Sequence, residues 1–140
     1  MAATNLLCDT GPLVAFLNRR DAHHDWADEQ FGRLHGPLQT CEAVLSEVIF
    51  LLCEDGLSCD PLFEMGARGK LLVDFSLPEH WADVRRLLRK YADQPMSLAD
   101  ACLVRMSELK RESVVLTLDA DFKVYRRHGR DAIPLIAPFL

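Results

Sequence analysis

Long hydrophobic runs are missing from this chain: none approaches the roughly 20 residues that a membrane-spanning helix needs. The opening Met1-Ala2-Ala3-Thr4-Asn5 has neither the basic region nor the apolar core of a secretion signal, so a cytoplasmic location is expected. Cysteine occurs at five positions only, Cys8, Cys41, Cys53, Cys59 and Cys102, an odd number with no C-x-x-C pair. That sets aside a disulfide framework and a zinc ribbon, and the thiols, mostly inside apolar runs, read as small buried hydrophobes. Positive charge is short as well. A net charge of −5 argues against an indiscriminate grip on a nucleic-acid backbone, while leaving room for a local basic face. Internal repeats, linkers and low-complexity stretches are absent. What remains is 140 residues, 49% hydrophobic, with the size and balance of one globular domain spanning residues 1–140.

Short apolar runs alternate with helical patterns along the whole chain. Leu6 to Cys8 reads as a buried strand stopped by Gly11-Pro12, Leu38 to Cys41 as a second and Leu71 to Phe75 as a third. Val114 to Leu118, β-branched and bounded by charge, is the clearest strand, and Ile133 to Ile136 the last. Between them the patterning predicts helices over Leu13–Asn18, Asp21–His35, Glu42–Glu54, Ser58–Gly66, Pro78–Ala92, Ser97–Glu112 and, briefly, Asp119–Arg127. This alternation is the sequence form of an α/β domain, a parallel sheet covered by helices on both faces.

In such a sheet the strand ends and the starts of the following helices share one edge. Asp9 follows the first strand, Glu47 comes within two turns of the start of its helix, Asp100 is in the first turn of its helix, and Asp119 and Asp121 follow the Val114–Leu118 strand. Carboxylates gathered there repel unless a cation intervenes. An all-oxygen donor set selects a hard divalent ion, Mg2+ or Mn2+, and such ions suit hydrolysis of a phosphodiester. Each acid also has a plainer explanation. Asp9 and Asp119 can cap helices, Glu47 can flank an amphipathic one, and Ser97 with Asp100 matches a capping box. Asp9-Thr10-Gly11 is also the tripeptide of the aspartic proteases, but those are all-β and here helices follow at once.

Taken in order, Leu7-Cys8-Asp9-Thr10-Gly11-Pro12-Leu13, then Thr40 to Glu47, then Ser97-Leu98-Ala99-Asp100-Ala101, and finally Leu116-Thr117-Leu118-Asp119-Ala120-Asp121-Phe122, the chain resembles a PIN domain of the VapC toxin type. The resemblance implies a three-layer α/β/α domain with a five-stranded parallel sheet in the order 3-2-1-4-5. It also implies a Mg2+- or Mn2+-dependent endoribonuclease. Asp9, Glu47 and Asp100 are carried over as metal-site acids, with Asp119 or Asp121 as the fourth, Asp119 being favoured. Thr10 and Thr117 are then polar neighbours of the site, and Arg85, Arg86 and Arg126 are candidate phosphate contacts. The implied partners are an RNA substrate, a second copy of the chain and an antitoxin seated in an apolar groove, for which Trp26, Phe31, Phe50 and Phe63 are candidate walls. Two alternatives stay open: a PIN scaffold that only binds protein or RNA, and a PIN nuclease of RNA processing that is no toxin.

Overall fold

The computed structural model describes residues 4–140. The expectation of no secretion leader rests partly on Met1 to Ala3, which lie outside the described residues. Five short strands form one parallel sheet: β1 (Asn5–Cys8), β2 (Leu38–Thr40), β3 (Leu71–Val73), β4 (Ser113–Leu116) and, after a small antiparallel pair β5 (Arg126–Arg127) and β6 (Asp131–Ala132), β7 (Leu135–Ile136). Their order is β3-β2-β1-β4-β7. With β7 standing where a fifth strand was expected, this is the order 3-2-1-4-5, and β1 lies at its centre. Leu7 on β1 pairs in register with Gln39 on one side and with Val115 on the other, and both Leu7 and Val115 have no exposed surface.

Helices α1 (Thr10–Leu17), α2 (His24–Gly32), α3 (Glu42–Glu54), α4 (Asp60–Ala67), α5 (Trp81–Lys90) and α6 (Leu98–Leu109) make the connections. α3 and α6 carry the core, burying Val44, Val48 and Leu52 from one and Leu103, Val104 and Met106 from the other against the sheet. Among the described residues no helix is long and apolar enough to cross a membrane.

Two local expectations are corrected. Gly11-Pro12 does not break the chain but lies inside the first turn of α1, where a proline's missing N–H is one that no helix could satisfy. A Cβ on Gly11 would stand 3.0 Å from the Leu118 side chain, so the glycine allows helix and loop to touch. The expected helix Asp119–Arg127 is instead a 3-10 turn, Ala120–Lys123, followed by the β5–β6 hairpin. Its loop places His128 and Gly129 at φ 54° and 83°, the left-handed region that hairpin turns require and helices exclude.

Candidate metal centre

Asp9, Asp100 and Asp119 arrive from three separate places on the carboxyl edge of the sheet. Asp9 follows β1 and caps α1, its Oδ1 accepting the Thr10 N–H at 2.8 Å. Asp100 is in the first turn of α6, in a capping box with Ser97. Asp119 follows β4 and caps the 3-10 turn, its Oδ1 accepting the Asp121 N–H at 2.9 Å. A carboxylate oxygen from each of the three lies within 4.8 Å of the others. The capping explanation and the site explanation therefore hold together, because a cap occupies one edge of a carboxylate and leaves lone pairs on the other.

These acids open into a cleft of about 380 Å3, also lined by Thr10, Gly11, Glu47, Pro95, Ser97 and Leu118. Asp9 is buried at its floor, 6% exposed, and its Oδ2 accepts the Thr117 hydroxyl at 2.7 Å. Burial pushes the Asp9 carboxyl from 3.8 up to about 7; the Thr117 and Thr10 donors pull it back, and the charges of Asp100 and Asp119 add to the rise. Asp100 is raised too, first by burial and then by Asp119, against the donors at Ser97. None of the three pairs with a protein cation among the described residues. A cluster of carboxylates with no neutralising lysine or arginine among the described residues is a donor set matched to a hard divalent cation.

Glu47, on α3, reaches the rim of the same cleft without joining the 4.8 Å group. Its Oε2 lies 3.5 Å from the Thr10 hydroxyl, and its carboxyl is raised by burial and by the charge of Asp100. Asp121 stands outside the cleft, two residues past Asp119, raised by burial and by its neighbour. Thr117 is fully buried beneath Asp9, where its hydroxyl also accepts the Asp119 N–H at 2.9 Å. It braces two acids from behind.

The arginines are placed differently. Arg86 reaches Asp83 at 3.4 Å and Glu108 at 3.9 Å, and Arg126 folds back onto the carbonyls of Lys123, Val124 and Tyr125. Arg85 is exposed beside an apolar hollow with Trp81 and Leu98. Of the candidate groove walls, Phe31 lines a hollow of about 610 Å3 with Phe16, Leu34 and Met65, while Phe50 and Phe63 stand in solvent at 61% and 62% exposure. Tyr125 was not among the expected residues. Its phenol donates to Asp100 Oδ2 at 3.2 Å, and burial, then the Asp100 charge, push it up, keeping it protonated as a donor. No motif signals it, since it lies beyond the final acid motif in a segment whose pattern reads as helix.

A family model for the PIN domain matches residues 6–127. The chain belongs to the PIN domain family. The matched span takes in every acid of this PIN domain's cleft. A search of curated proteins by sequence gives no match. Among solved structures, this PIN domain is similar to Mycobacterium tuberculosis VapC20, a toxin described as cleaving the sarcin–ricin loop. The TM-score is 0.74 at 20% identity, over 86% of this chain and 94% of that one. At that identity the likeness is one of fold.

Proposed function

We propose that this PIN domain is a Mg2+- or Mn2+-dependent endoribonuclease and the toxin half of a toxin–antitoxin pair. The observation that carries the reading is the convergence of Asp9, Asp100 and Asp119 within 4.8 Å with no protein cation among them. Those three would hold the ion, Glu47 would hold a second ion or its water shell at the rim, and Asp121 is the reserve for Asp119. When bound, the ion would supply a Lewis acid at the phosphate oxygen and make a water on it easier to deprotonate.

The protein's own groups do the rest. Thr117 and the Thr10 N–H fix the Asp9 carboxylate by both oxygens, so its geometry precedes any ligand. Glu47, with its raised carboxyl at the mouth of the cleft, is positioned to take a proton from a water entering there. Thr10, beside Glu47, offers a hydroxyl to a phosphate oxygen. Of the expected arginines, Arg85 alone makes no side-chain hydrogen bond or ion pair among the described residues, whereas Arg86 and Arg126 already serve protein acceptors, so Arg85 is the candidate phosphate contact. The substrate class follows the solved toxin of the same fold: an RNA loop rather than a duplex. The antitoxin would occupy the Phe16–Phe31 hollow formed by α1, α2 and α4, and a homodimer and a cytoplasmic location complete the reading.

Purified protein with Mn2+ and a stem–loop RNA is expected to give cleavage within the loop that EDTA abolishes, with D100N reduced at least about 100-fold. Cleavage by D100N at the wild-type rate would remove the acid cluster from the reaction. Tight RNA binding without cleavage would instead identify a binding module.

A further inference from the structure

The Asp100 carboxylate is held by one edge only. Its Oδ2 accepts the Ser97 N–H at 3.1 Å and the Tyr125 hydroxyl at 3.2 Å, while among the described residues Oδ1 has no hydrogen-bond partner. The Ser97 contact belongs to a capping box that any helix start can carry. The Tyr125 contact has no such local cause, because the phenol comes from 25 residues further along the chain. Its ring has no exposed surface, wedged edge-on between Tyr91 at 5.1 Å and Phe122 at 5.2 Å, and the Tyr91 hydroxyl in turn accepts the Arg126 N–H at 2.8 Å. A phenylalanine would fill that volume without desolvating a hydroxyl. The hydroxyl's one hydrogen bond among the described residues is to a site acid.

We propose that Tyr125 is a positioning residue of this site: by holding the Oδ2 edge of Asp100, it turns Oδ1 toward Asp9 and Asp119, so that Asp100 offers a divalent cation one oxygen. The inference rests on the metal-dependent reading above. It also ties the segment carrying Asp119 to the start of α6, so that two of the three acids move together. Partners that orient a metal ligand from behind typically change metal affinity by about 10- to 100-fold when removed.

The test is Mn2+ affinity of the full chain, read from the electron paramagnetic resonance of the free ion. Y125F is expected to weaken binding about 10-fold or more. Y91F, which loses a neighbouring phenol that touches no acid, is expected to bind as wild type does even if it melts earlier. A wild-type chain that ignores Mn2+ would overturn the metal reading and this inference with it. A wild-type response that Y125F shares in full would overturn the inference alone. Should Y125F fail to fold, the wild type carries the test through its two tyrosines labelled with 13C at Cζ. Mg2+ is expected to shift the Tyr125 resonance and leave that of Tyr91 in place; an unmoved Tyr125 signal would overturn the proposal.

Discussion

Replacing Asp9 by asparagine should stabilise the metal-free protein, by an amount that depends on pH in a way only this carboxyl can produce. In the fold Asp9 is raised from 3.8 to about 7, so between those pH values the native state keeps a proton that the unfolded chain has released. Stability therefore falls as pH rises across this window, by up to about 4 kcal/mol for the full displacement. Well below pH 3.8 the carboxyl is protonated in both states and contributes nothing; well above pH 7 the cost is constant. Asparagine has the same shape and never ionises; its one carbonyl oxygen can still accept the Thr10 N–H, while its amide NH2, which only donates, takes the place of the oxygen that accepted the Thr117 hydroxyl. The assay is urea denaturation of wild type and D9N in EDTA at several values between pH 4.5 and 8.5. The advantage of D9N is expected to grow by a few kcal/mol toward neutrality and then level off. Any fixed cost of the amide shifts every point equally and leaves the slope intact. Adding Mn2+ should reverse the order at pH 8, since an ion bound only by the native state raises its stability and D9N lacks the charge to hold it. A difference between the two proteins that stays flat with pH would refute the reasoning.

Thr117→Val keeps the volume but removes the donor to Asp9 and the acceptor for the Asp119 N–H. It is expected to cost about 1–3 kcal/mol in urea denaturation. It should also move the levelling-off of the D9N comparison to higher pH, because Thr117 lowers the Asp9 carboxyl. Gly11→Ala puts a Cβ 3.0 Å from Leu118, which forms the cleft wall next to Asp119. A loss of about 1–3 kcal/mol with reduced cleavage is expected, and wild-type values in both measurements would show that Leu118 gives way freely.

The parallel sheet and the edge on which the acids meet were legible from alternation, which survives errors of several residues at every boundary, whereas the strand order came from the resemblance to PIN domains and not from the pattern. Asp9 and Asp100 stood out because each follows or opens a strongly patterned element. The choice between Asp119 and Asp121 was not legible. Both follow Thr117 at short spacing, and only the 3-10 turn at Ala120–Lys123 decides which carboxylate faces Asp9. Tyr125 was hidden for a related reason: the two left-handed residues His128 and Gly129 convert an apparent helix into a hairpin, and His128 gives no local sign of it. The arginines show a third limit. Composition says that Arg86 and Arg126 are basic, but their acceptors, Glu108 and a run of backbone carbonyls, are set by tertiary structure.

The most direct measurement is a crystal soaked in Mn2+ and read for anomalous scattering. A peak enclosed by Asp9, Asp100 and Asp119, absent from D9N crystals, is the expected result. An empty centre at saturating Mn2+, or density only on surface carboxylates such as Asp28 and Glu79, would contradict the account.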